Sequence, residues 1–116
     1  MTTDALDQAL EPSDIVEGLR ARGVTQADVA RALSITDRAV GGWQQHSATP
    51  RHYEVLTDLR HIVLLLADSL TPRGTKQWLH ARNRLLNGQR PLDALAQGQS
   101  AQVIAAAAAF DEGVYV

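Results

Sequence analysis

The 116-residue chain contains no cysteine. Disulfide cross-links and thiolate metal sites are therefore excluded, and the absence fits a chain that works in a reducing cytosol. It also lacks a dominant charge: 11 basic against 13 acidic side chains leave a net −2. That balance excludes a purely electrostatic nucleic-acid binder, although a local basic patch survives such a total. No apolar run approaches the roughly 20 residues that span a bilayer; "IVLLLA" falls far short. The acidic opening "MTTDALDQALEPSD" has no basic-apolar signal pattern. A soluble cytoplasmic protein with no membrane role is expected.

Catalytic constellations are missing as well. No serine stands in a G-x-S-x-G setting, and "RGTKQ" lacks both the upstream glycine and the hydroxyl residue after lysine of a phosphate-binding loop. His46, His52, His61 and His80 show no zinc spacing. His61 stands three residues after Asp58, which predicts a surface hydrogen bond rather than an acid–base pair. The expectation is a non-enzyme with no catalytic residue, metal site or cofactor.

What is present is helical patterning. Apolar residues make up 45% of the chain, an ordinary share for a globular protein, and the length suits one domain or two small modules sharing a core. Ser13 is a good N-cap for a first helix carrying Ile15, Val16 and Leu19, and Gly23 ends it. Thr25 caps "QADVARAL", and Thr36 caps "DRAVGGWQQ", with Val40 and Trp43 on one side. A long helix is predicted from about His52 to Ser69. Leu56, Leu59, Val63, Leu66 and Leu70 form one stripe, and Val55, Ile62 and Leu65 a second. A helix apolar on more than one side is a central core helix or a subunit interface. Thr71-Pro72 starts the next helix, and Asn87-Gly88 breaks the chain. Pro91 begins the short "PLDALAQ", and Ser100 caps the last helix, which Gly113 closes. No stretch reads as a sheet, and no repeat or long linker interrupts the chain. The predicted fold is all-α with about seven helices.

"TQADVARALSITDRAVGGWQQ" has the spacing of a helix-turn-helix. Ala30 is small where the helices approach; Leu33, Ile35, Val40 and Trp43 lock one over the other. In this reading the helix start near Gln26 faces a DNA phosphate, and the third helix offers Thr36, Asp37, Arg38, Gln44 and Gln45 to the major groove. Opposing features are also legible. Ser34 stands where glycine is common, so a strained backbone is expected there. Gly41 and Gly42 each cost about 1 kcal/mol relative to alanine inside a helix. From residue 13 to 51, five arginines (Arg20, Arg22, Arg31, Arg38, Arg51) face four acids (Asp14, Glu17, Asp28, Asp37), a weak balance for phosphate binding.

From Leu70 onward, "LTPRGTKQWLHARNRLLNGQRPLDALAQGQSAQVIAAAAAFDEGVYV" closely resembles the toxin-binding domain of Xre/MbcA/ParS-type antitoxins. The resemblance rests on Gly74, Trp78, Leu79, Asn83, Leu86, Gly88, Pro91, Leu92, Leu95, Gly98, Val103 and Gly113. The helix-turn-helix in front of it stands in the order this family shows, and the ending "EGVYV" looks like that of the MbcA antitoxins. The resemblance implies a cognate RES-domain toxin that degrades NAD⁺, an antitoxin C-terminus that covers the toxin's active site, and repression of the antitoxin's own operon through the helix-turn-helix.

Expected divisions are an acidic leader (1–12), a helix-turn-helix module (13–51), and a toxin-binding domain (52–116) that includes the central helix and tail. Expected toxin contacts are Gly113, Val114, Tyr115 and Val116, with Asn83, Arg82 and Arg84 beside them. Expected DNA contacts are Gln26, Thr36, Asp37, Arg38, Gln44 and Gln45. Trp78 reads first as core, and Phe110 as the anchor of the last helix. The expected assembly is a homodimer or a larger complex with toxin. The competing reading is a helix-turn-helix transcriptional regulator whose C-terminal module only dimerises.

Overall fold

The computed structural model describes residues 5–113. Eight α-helices and two short 3₁₀ turns make up the secondary structure of those residues. They are α1 (Ala5–Gln8), α2 (Pro12–Ala21), α3 (Gln26–Leu33), α4 (Asp37–Gly41), α5 (Pro50–Ala67), α6 (Pro72–His80), α7 (Pro91–Ala96) and α8 (Ser100–Asp111). The 3₁₀ turns are Gly42–Gln44 and Arg84–Leu86.

Threonine hydroxyls set most of the boundaries. Thr25, Thr36, Thr49 and Thr71 each accept a backbone N–H from the first turn of α3, α4, α5 and α6. Proline at the first helical position opens α2, α5, α6 and α7, where its missing N–H costs nothing. Cap and proline together move the start of the long helix to Pro50, ahead of the predicted His52. At α2 the proline wins over the serine: the helix begins at Pro12 with Glu11 as N-cap, and Ser13 lies inside it. Ser100 is likewise the first residue of α8 rather than its cap.

Helix α5 is the centre of the molecule, as its double stripe predicts. Leu56, Leu59, Ile62, Val63 and Leu66 are buried, and α1, α2, α3, α6 and α8 all pack on it. Helix α8 lies along it in parallel: Ser100 at the start of α8 hydrogen-bonds Asp58 in the middle of α5, and Asp111 at its end lies beside Asp68. The expected Asp58–His61 hydrogen bond is replaced by this tie to Ser100, which holds the start of α8 against the middle of α5.

Three expectations are corrected. The count of about seven helices rises to eight among the described residues, because the acidic leader contains α1 and buries Leu6 completely against the core. A Cβ on Gly18 would stand only 3.0 Å from Leu6, so glycine in α2 makes room for the leader. The third helix-turn-helix element is shorter than predicted, because the α-helix stops at Gly41 and continues as a single 3₁₀ turn. Two adjacent glycines supply little helix propensity to extend it. Finally, the stretch after His80 leaves the helix. Ala81 is extended, and Asn83 caps the 3₁₀ turn instead. Trp78 packs on the core but stays half-buried, and Phe110 does the same.

One continuous hydrophobic core runs through both halves. Helix α3 packs on α7 as well as α5, and Arg31 pairs with Asp93 across that contact at 2.7 Å.

Candidate functional site

Two surfaces carry the predicted contacts, and a buried polar junction lies between the modules that present them. The first surface is the helix-turn-helix. Ser34 closes α3 in the left-handed conformation at φ 58°, the strain expected of a non-glycine residue at this turn. Gln26 does not simply project outward. Its Nε2 donates to the Asp37 carbonyl at 3.0 Å, and its Oε1 accepts from Arg20 at 3.4 Å. The side chain therefore clamps α3 to the start of α4. Thr36 uses its hydroxyl as a cap for α4. Asp37, Arg38, Gln44 and Gln45 are exposed on the outer face, while Val40 and Trp43 are buried on the inner one. Four of the six predicted DNA contacts are thus accessible, and the other two fix the start of α4.

The second surface is the segment after α6 together with the end of α8. Asn83 organises the loop. Its Oδ1 accepts the Leu85 N–H at 2.9 Å, its carbonyl accepts from Leu86 and Gly88, and its own N–H donates to the Gln89 carbonyl. Arg82 donates to the Gly88 carbonyl at 3.2 Å. Arg84 is exposed. Helix α8 ends at Asp111, and Gly113 turns the chain at φ 76°. Partial burial and the neighbouring Asp68 and Glu112 carboxylates raise Asp111 above its ordinary value. Two helix C-termini and three acids therefore meet where the tail departs. The predicted tail contacts Val114, Tyr115 and Val116 lie outside the described residues.

The junction is a feature that the sequence reading missed. Asp28, only 6% exposed, completes a capping box with Thr25 at the start of α3. The same carboxylate accepts from Lys76 Nζ at 3.1 Å and from His80 Nε2 at 2.8 Å, two residues one turn apart on α6. Beside it, Gly23 lies against Pro72, the first residue of α6. A signal for half of this was present. Thr25-x-x-Asp28 is the spacing of a capping box. Nothing in the sequence indicates that Lys76 and His80 close on it from 48 and 52 residues away. Among the described residues no group of His, Asp and Glu is arranged to hold a metal ion, and no helix is long and apolar enough to cross a membrane.

No protein-family model matches the chain. Among curated proteins, it is 54% identical over 111 residues to the probable mycobacterial cidal antitoxin Rv3188 of Mycobacterium tuberculosis, covering 96% of each chain. It is 28% identical over 96 residues to the mycobacterial cidal antitoxin MbcA of Mycobacterium bovis and of M. tuberculosis, covering 81% of this chain and 85% of the relative. Among solved structures, it matches a chain of the M. tuberculosis MbcT–MbcA toxin–antitoxin complex with a TM-score of 0.75 and 26% identity, over 93% of this chain and 100% of that one.

Proposed function

This chain belongs to the mycobacterial cidal antitoxin family, and we propose that it binds and silences an NAD⁺-degrading RES-domain toxin by placing its C-terminal segment over the toxin's active site. An antitoxin acts by binding and is not an enzyme. The observation that carries the proposal is the fold match, which spans the whole of the matched chain in a toxin–antitoxin complex. In support, the rigid α5–α8 pair ends at an exposed turn, and three apolar or aromatic residues follow it. Tyrosine supplies a large face at low entropic cost, which suits a contact that carries much of an affinity.

Deleting residues 114–116 is expected to weaken toxin inhibition about 30-fold, the loss of one strong contact residue, while leaving the melting temperature unchanged. An NAD⁺-consumption assay with the toxin encoded beside this chain, titrated with full-length and truncated antitoxin, reads the effect. A truncated chain that inhibits as well as the parent sinks the active-site-covering part.

The division of labour proposed is residues 13–51 for DNA and 52–116 for the toxin. Operon repression is supported by the accessible face of Arg38, Gln44 and Gln45. Arginine reads guanine and glutamine reads adenine through paired hydrogen bonds, each worth about 1–3 kcal/mol. Replacing Arg38 and Gln45 together by alanine is expected to lower operator affinity at least about tenfold at fixed salt, read by fluorescence anisotropy on the DNA upstream of the chain's own gene. Unchanged binding in the double mutant removes this face from the DNA role.

A further inference from the structure

We infer that Leu85 is the apolar anchor of a second contact with the toxin, held out by a rigid basic loop and flanked by Arg84. The inference rests on the antitoxin reading above and adds a contact away from the tail.

Large hydrophobic side chains are almost all inside this protein. Among the described residues only Leu10 and Leu85 are exposed, and Leu85 is 43% accessible. Leu10 stands at the end of the leader before Glu11, in a segment whose carbonyls are held by Tyr53 and Arg60 of α5. Leu85 sits in the opposite electrostatic setting. From His80 to Pro91 the chain carries Arg82, Arg84 and Arg90 and no acid; Arg90 pairs with Asp93 at 3.9 Å, which leaves Arg82 and Arg84 as the charge beside Leu85.

The loop is built to hold this side chain still. Asn83 fixes it through its side chain and both backbone groups, with hydrogen bonds of 2.9 to 3.0 Å to Leu85, Leu86, Gly88 and Gln89. Leu86, 2% exposed, pins the turn into the core immediately beside the projecting Leu85. Asn87 accepts a left-handed backbone at φ 57° to close it. An apolar group held in one conformation before binding loses little entropy on binding, which is what distinguishes an anchor from an incidental surface leucine. Asn83 is then a positioning residue, and Arg84 faces carboxylates at the rim of the partner's pocket.

The same observations select the occupant. A symmetric dimer through this loop would bring together two loops that each carry Arg82 and Arg84, and like charges oppose that contact. Nucleic acid would use the arginines, but phosphates gain nothing from a leucine projecting between them. A protein partner with an apolar pocket rimmed by acids uses both, and the family's partner is a toxin.

Biolayer interferometry between full-length antitoxin and the toxin encoded beside it tests the inference. Leu85→Ser is expected to weaken binding about 30-fold, chiefly through faster dissociation. Because Leu85 is exposed, its melting temperature should match the parent's. Asn83→Ala, which removes the side-chain cap on the Leu85 N–H, should reproduce part of the loss, and Arg84→Ala should weaken binding in a salt-dependent way. Leu85→Ser binding within twofold of the parent, while deletion of residues 114–116 still weakens inhibition about 30-fold, overturns the anchor and leaves the antitoxin reading standing. A parent chain that binds no such toxin overturns both. Two further outcomes overturn the choice of partner: Leu85→Ser converting a dimer to a monomer with toxin affinity intact, or Arg84→Ala weakening only operator binding.

Discussion

Gly23→Ala is expected to destabilise the protein by about 3–5 kcal/mol, more than most single substitutions at an exposed turn. Two penalties fall on one atom. Gly23 has φ 90°, a conformation that side chains disfavour by about 1 kcal/mol or more. Its added Cβ would also stand 2.2 Å from the Pro72 carbonyl oxygen and 2.8 Å from the carbonyl carbon. Those are backbone atoms at the start of α6, so no rotamer change relieves the overlap. Either the α2–α3 turn or the whole of α6 must shift. Gly98→Ala is the matched control: it has φ 82° but nothing within 4 Å of the new Cβ, so only the backbone penalty of about 1 kcal/mol applies. Urea unfolding midpoints of the two variants separate the contributions. Equal losses would show that Gly23 is needed for its backbone angle alone and that the junction tolerates a methyl group.

Asp28→Ala is expected to cost about 2–4 kcal/mol. It removes a capping box, worth about 1 kcal/mol, and two charge-assisted hydrogen bonds that join α3 to α6. Lys76 and His80 are partly exposed and find water once the carboxylate is gone, which keeps the loss below that of breaking a fully buried pair. The pH dependence has a definite sign. Burial pushes the Asp28 carboxyl up, but the Thr25 backbone N–H and the hydrogen bonds and charge of Lys76 and His80 outweigh it, so the group sits below its ordinary value. A lowered folded-state value means that the unfolded chain binds the proton first. The stabilisation is complete above the ordinary aspartate range and is lost as pH falls through the lowered value. Chemical denaturation between pH 2 and pH 6 should therefore show a steeper acid loss in the parent than in Asp28→Asn, in which position 28 no longer titrates. Parallel curves would mean that other carboxylates dominate acid unfolding.

These two variants also bear on how the halves work together. The helix-turn-helix is not tethered by a flexible linker. Gly23–Pro72, Asp28 with Lys76 and His80, and Arg31–Asp93 all cross between the halves, and the core is continuous beneath them. A contact made by the loop at Leu85 therefore acts on the same packed body that carries Arg38 and Gln45.

Local chemistry was legible in the chain itself. The threonine caps of α3 and α4, the Thr71-Pro72 start of α6, the stripes of α5 and the stop at Gly113 are all decided within a few residues, because capping, proline geometry and helical periodicity are short-range effects. The absence of sheet follows from the same patterning. The errors also have short-range causes. A proline at the first helical position outcompeted Ser13, paired glycines shortened the third helix-turn-helix element, and α6 stopped at His80, well before the predicted break at Asn87-Gly88. The helix in the leader was not legible, because the burial of Leu6 depends on Gly18 leaving space twelve residues later.

By itself, then, the sequence determined an all-helical chain with a helix-turn-helix spacing and an antitoxin-like C-terminal half. Only the tertiary structure decided what those helices do to one another. It turned Gln26 into a clamp, Asn83 into a loop organiser and Asp28 into the junction between modules, and it left Leu85 in solvent while burying Leu86. Each of these assignments depends on a contact between distant residues or on which side of a turn faces the core. Periodicity carries no such information, because a turn of three residues has no repeating face to read.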